Sequence, residues 1–321
     1  MGILRGLLLL MMTAATAQAS REDVRFLGPA LYPESIAYRA ATAQFYVGAV
    51  RLGAIYTVDR EDRRYATAKL FVDDKDAPSI TGLAVDEKRG RLYACVSDGG
   101  KGIKTSHLTQ NRLAALAVYD LESGNRIAWH ELYKLHPGNH GCSALALGPD
   151  GTVYATDSAA PVIYKITPSG EATLLCSSEK FREESGEGLS SIAFHEEGYL
   201  LAAMHEKGQL WKVPLTKGEE PQAVKLPRPL SGASGLVFIE KDTLVLVQGA
   251  GRNVIHRLVS GDDWKTAQIR KTSGRIRHYP TEAVLVGSRI YVLESQLDAL
   301  FDNKPATGDT KFTIKHLGYL K

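Results

Sequence analysis

One short pattern recurs six times along this chain: a polar residue, a small or polar one, and then an apolar strand. The copies are Glu34-Ser35-Ile36-Ala37-Tyr38, Thr81-Gly82-Leu83-Ala84-Val85, Ser143-Ala144-Leu145-Ala146-Leu147, Ser190-Ser191-Ile192-Ala193-Phe194, Ser234-Gly235-Leu236-Val237-Phe238 and Thr281-Glu282-Ala283-Val284-Leu285. Their first positions lie 47, 62, 47, 44 and 47 residues apart. Spacings of this size belong to propeller blades of four strands, and no 3.6-residue periodicity of helical repeats accompanies them.

Each later copy runs through a polar or glycine turn into a second strand, at Arg91-Leu92-Tyr93, Thr152-Val153-Tyr154, Tyr199-Leu200-Leu201, Thr243-Leu244-Val245 and Arg289-Ile290-Tyr291. Third strands are expected from Ala54, Val162, Gln209 and Val254, and outer fourth strands from Lys69, Ala172 and Ala223. The fold class expected is all-β: a six-bladed β-propeller of four-stranded antiparallel blades. A ring of blades gains by sharing strands at its closure, so the N-terminal segment Asp23–Leu27, which has no inner strand ahead of it, is expected to supply the outer strand of the last blade. The long 62-residue step places an insertion at Asp98–Arg112, between second and third strands. It is read as a surface loop, or as a lid if it lies at the channel mouth.

The first residues carry a different signal. Arg5, the apolar run Leu7–Met12 and Ala17-Gln18-Ala19 have the layout of a cleaved signal peptide. Residues 1–19 are therefore expected to be removed, leaving the propeller in 20–321 and placing the protein in the periplasm or outside the cell. No later run reaches the ~20 apolar residues a spanning helix needs, so a soluble mature chain without a membrane span is expected. Loss of Arg5 lowers the formal charge from +3 to +2, and no basic block tracks a phosphate backbone, which argues against a nucleic-acid partner. Cys95, Cys142 and Cys176 allow at most one internal bridge, and Cys95 reads as a buried thiol in an apolar strand.

Antiparallel blades place the start of each first strand and the end of each second strand on one face of the ring. That face should collect Glu34, Thr81, Ser143, Ser190, Ser234 and Thr281, with Ser97, Asp157, His205, Gln248 and Glu294 from the second strands. Converging oxygens around a channel suit a small molecule or a cation, although the hydroxyls could equally cap strand entries. Thr81, Ser143, Ser190, Ser234, Thr281 and Glu294 are taken as substrate-binding candidates, and Glu34 as the cation ligand, since a carboxylate facing a channel must be hydrated, paired or metal-bound. His140, Asp157 and His205 are the candidates for proton transfer, with His278 as a further imidazole. The stretch from His136 to Cys142 lacks the second ligand pair of a zinc site.

Tyr32-Pro33-Glu34, the run from Ser143 to Ser158 and the run from Ser190 to Val213 resemble the regucalcin and gluconolactonase family of six-bladed propellers across nearly the whole mature chain. The resemblance implies lactone hydrolysis with a divalent cation, often calcium, held at the channel mouth by a Glu, an Asn and an Asp that also serves as base. The Glu maps on Glu34, whereas the Asn and Asp positions fall on Ser143 and Ser190. Two hydroxyls in place of an amide and a carboxylate remove a negative charge from the cation site. Asp157, or Glu187 just ahead of Ser190, could compensate. Two functions are carried forward: an exported lactonase or esterase acting on a small molecule, and a non-catalytic small-molecule-binding propeller that has lost the metal site. A protein-interaction propeller using the 98–112 loop is a third.

Overall fold

The computed structural model describes residues 23–59, 64–184, 186–306 and 308–320, so the expected signal peptide lies outside the described residues. Six sheets follow one another, five of four strands and one of five, with antiparallel pairing throughout each blade. Their inner strands are Pro33–Arg39, Ser79–Asp86, Cys142–Leu147, Leu189–His195, Ala233–Glu240 and Pro280–Val286. Each packs on the next, and the sixth packs back on the first, which closes a six-bladed β-propeller.

The closure follows the expected route. Strand Val24–Gly28 pairs antiparallel with Thr310–His316 and becomes the fourth strand of the last blade, with Phe26 opposite Phe312. Their rings lie 5.5 Å apart. The same strand pairs in parallel with Ala66–Thr67, so it also reaches the first blade. The repeat does not itself mark Gln44–Ala49, Ala114–Asp120, Arg126–Glu131 and Gln268–Thr272, which complete the blades.

Why the strands read as unbroken apolar runs is visible in the packing. In the fifth blade, Leu244 and Leu246 face the fourth blade, while Val245 and Val247 face the sixth. A blade inside a ring buries both faces, so period-two alternation of polarity disappears and β-branched and aliphatic residues fill every position. Six apolar layers therefore lie between the six blades, and no single central core exists. Cys95 of the second blade is buried as expected but is bonded to Cys142 of the third, stapling two neighbouring sheets; Cys176 is free. Among the described residues no helix is long and apolar enough to cross a membrane.

Candidate functional site

The six repeated polar residues share one backbone device. Every inner strand breaks its ladder register at that point, between Pro33 and Ser35, Ile80 and Gly82, Cys142 and Leu145, Leu189 and Ser191, Ala233 and Gly235, and Pro280 and Ala283. A bulge leaves its extra residue out of the ladder and re-aims its side chain. Here the side chains turn toward the next blade. Thr81 donates to the Cys142 carbonyl at 2.7 Å, Ser190 to the Ala233 carbonyl at 2.7 Å, Ser143 to the Ser190 carbonyl at 3.3 Å and Ser234 to the Pro280 carbonyl at 3.4 Å. The hydroxyls thus form a girdle of blade-to-blade hydrogen bonds. Thr281 is buried, with no partner for its hydroxyl among the described residues. Glu34 holds the same place in the first blade, with a carboxyl instead of a hydroxyl.

A cavity of about 300 Å³ opens where these strands begin, lined by Glu34, Thr81, Ser97, Asn111, His140, Ser143 and Glu187 among others. Two insertions meet beside it. Residues 98–112 leave the second strand of blade two, and the segment containing the short helix Leu297–Phe301 leaves the second strand of blade six. Lys101 Nζ donates to Asn303 Oδ1 at 3.0 Å and to the Phe301 carbonyl at 3.4 Å, joining the two over the start of blade one. Lys101 and Phe301 both line the cavity. Leu297 and Leu300 pack on Tyr32 and Val50, which fixes the helix against the first blade. The insertion thus sits where a lid would sit.

Its shape comes from Asp98. This buried carboxylate accepts from Thr105 Oγ1 at 2.8 Å, Thr109 Oγ1 at 2.7 Å and the amides of Gly100 and Ser106 at 2.9 and 3.3 Å. Lys104 then pins the loop to blade one through the Gly53 and Asp74 carbonyls and Asp73 Oδ1, at 2.7–3.0 Å.

The carboxyl of Glu34 is pushed well above the usual carboxylic range, first by burial and then by the nearby carboxyl groups of Glu187 and Glu282. Glu34 is half-buried and lines the cavity, and the direction of the shift favours its protonated form. Glu282, pushed up to about 8 by burial against the hydrogen bond it accepts from Ile36 N at 2.9 Å, lies at the seam between the last and first blades.

His140 has a different setting. Its Nδ1 lies 2.9 Å from Asp157 Oδ2 and its Nε2 lies 2.8 Å from the His136 carbonyl. Both neighbours accept, so the ring that satisfies both is the imidazolium. Burial lowers its pKa, but the Asp157 carboxylate and the His136 carbonyl outweigh that and raise it. Asp157 also accepts from Tyr164 OH at 2.8 Å and from the amides of Gly141, Ala159 and Ala160, so it anchors the loop rather than facing the cavity. His205 stands half-buried beside Glu206, and His278 is exposed. Of the sequence-derived candidates, Glu34, Thr81, Ser143 and His140 line the cavity together. Ser190, Ser234, Thr281, Asp157, His205 and Glu294 do not line it. Glu187, Asp98 and Lys101 also line the cavity, and Glu282 stands at the seam beside it. Glu282 was open to discovery by aligning the six copies, because the other five carry Ser, Gly or Ala there.

The donors facing a cation at the family's metal position are poor. Ser143 and Ser190 present neutral hydroxyl oxygens, so of the three positions Glu34 alone supplies a carboxyl. Among the described residues no three His, Cys, Asp or Glu side chains gather as a metal site. The residues present therefore do not fit a calcium ion held by Glu, Asn and Asp.

No protein-family model matches this chain, and no curated protein matches it either. Solved structures do. The major allergen Mala s 1 of Malassezia sympodialis is 18% identical, with 93% of this chain and 96% of that one covered and a TM-score of 0.71. A virginiamycin B lyase from Staphylococcus aureus, solved as a catalytically inactive variant with quinupristin, is 14% identical over 84% and 82% of the two chains, with a TM-score of 0.56. A protein assigned by family as a gluconolactonase is 13% identical over 92% and 94%, with a TM-score of 0.59. At these identities the likeness carries the propeller fold and leaves the chemistry to the site itself.

Proposed function

We propose that the protein is an exported hydrolase that opens a small hydroxylated lactone or ester in the channel-mouth cavity, with Glu34 as the proton donor. The observation that carries this reading is the Glu34 carboxyl, its pKa raised by its surroundings, in a hydroxyl-lined cavity that Glu187 also lines. Two carboxyl groups that line one cavity divide the work of acid and base. In the step proposed, a water oxygen attacks the carbonyl carbon and yields its proton to Glu187. The acyl–oxygen bond breaks, and the departing ring oxygen takes the proton of Glu34. Proton exchange with solvent restores both carboxyls. No metal enters this scheme. His140 is given a positioning role, since both ring nitrogens already have partners. The bonded pair Cys95–Cys142 is compatible with an oxidising compartment, and we read the chain as periplasmic or secreted.

A non-catalytic binding propeller is the second reading. It is favoured by the hydroxyl girdle, which spends on structure the groups that would otherwise contact a substrate. Turnover on a panel of sugar lactones and aryl esters separates the two. The hydrolase reading expects turnover that falls by ~10²–10⁴ in Glu34→Gln. Saturable binding with no hydrolysis by the wild type would leave the second reading standing.

A further inference from the structure

We propose that the groove between the 98–112 insertion and the loop before blade three is a second binding site, for a small organic carboxylate with an apolar body. The groove encloses about 380 Å³ and carries Arg112, His136 and Asn139 beside Leu108, Leu113 and Tyr133. It contains no carboxylate, whereas the neighbouring mouth cavity is lined by Glu34, Asp98 and Glu187.

His140, which also lines the groove, is engaged at both ring nitrogens, but Arg112 is uncommitted. Arg112 is exposed and enters no ion pair among the described residues, so its planar fork of donors is open to a carboxylate. Of the nearby acids, Glu131 pairs with Lys134 at 2.5 Å and with Tyr133 OH at 2.8 Å, and Glu179 pairs with Arg182 at 2.8 Å while also lying close enough to His136 to interact with it. In the Pro137-Gly138-Asn139 turn, where Gly138 takes φ +117°, the amides of Gly138 and Asn139 donate to no described acceptor. His136 Nδ1 is likewise without a partner. Leu108, 69% exposed at the edge, supplies apolar surface whose exposure is unrewarded unless something covers it. The hydrogen bond from His140 N to the Asn111 carbonyl, 3.0 Å, lies between the groove and the mouth cavity, so occupancy of one does not require the other. The inference does not rest on the hydrolase reading.

Titration calorimetry of the full chain with benzoate, and with benzyl alcohol as its neutral counterpart, tests it. Benzoate is expected to saturate one site, with benzyl alcohol about tenfold weaker or worse. Arg112→Gln should weaken benzoate about tenfold or more, the loss of one charge-assisted contact. Leu108→Ser should weaken it as well, and Glu34→Gln should leave it unchanged. Absence of saturable benzoate binding, or full binding by Arg112→Gln, overturns the proposal. Loss of binding in Glu34→Gln overturns it too, by moving the ligand into the mouth cavity.

Discussion

Five inner strands carry Ser35, Gly82, Ala144, Ser191 or Gly235 directly after the bulged residue, and the sixth carries Glu282. Small residues are needed there because successive strands come close: a Cβ added at Gly82 would lie 2.9 Å from the Ser143 carbonyl oxygen, and one at Gly235 would lie 2.8 Å from the Glu282 Cα. Glu282 fits only by reaching across to Ile36 N at the closing seam. Its folded pKa, about 8, lies above the unfolded value near 4.5, so the folded state binds the extra proton between them. Stability from this group is full below the unfolded value and is lost as pH rises through the folded one. Glu282→Gln keeps an acceptor for Ile36 N and removes the titration. Its thermal midpoint should therefore exceed that of the wild type at mildly alkaline pH, by a few degrees at ~2–4 °C per kcal/mol, and match it in acid. A wild-type midpoint that rises from pH 5 to 8, with no gain from the substitution, would contradict this. Glu34 was legible because a carboxyl stood where five copies have a hydroxyl. The charges that set its pKa were not, since Glu187 and Glu282 come from other blades and meet it only when the ring is built.

At the scale of elements, the insertion 98–112 shows what periodicity can and cannot report. The long spacing located it, and the antiparallel rule put it on the same face as Glu34. Its internal order came instead from local side-chain chemistry, in which one buried carboxylate replaces a missing strand partner for two hydroxyls and two amides. An unsatisfied buried donor costs ~1–3 kcal/mol. Asp98→Ala strips the acceptor from four donors at once, while the six apolar layers between blades remain intact. Hydrogen exchange of amides 100–112 is therefore expected to accelerate by at least tenfold, with the inner strands unchanged. Equal protection in the variant would show that Lys101 and Lys104 alone hold the loop. The same locality governs His140. His140 near Ser143 looked like a base over the mouth, but the Asp157 and His136 oxygens that occupy its nitrogens are contributed by a hairpin partner and a turn.

At the scale of the molecule, the ring is held by layers between neighbours, by the shared strand Val24–Gly28 and by the Cys95–Cys142 bridge. The bridge alone is worth ~2–4 kcal/mol on the chain-entropy view. Blade count, strand order and closure were all readable, because each blade repeats one pattern and a ring admits one way of ending. Which polar groups face the cavity was not, since bulges turn several hydroxyls into blade-to-blade ties that no strand pattern distinguishes from ligands. Glu34 integrates the whole construction: half-buried on the first blade, it shares its cavity with Lys101 and Phe301 of the two insertions and lies near Glu282 of the last blade. The infrared difference spectrum between wild type and Glu34→Gln reads its protonation directly. A protonated-carboxyl band that persists at neutral pH and disappears in the variant is the result expected. A carboxylate band appearing at the ordinary acidic pH of an exposed glutamate would contradict the account.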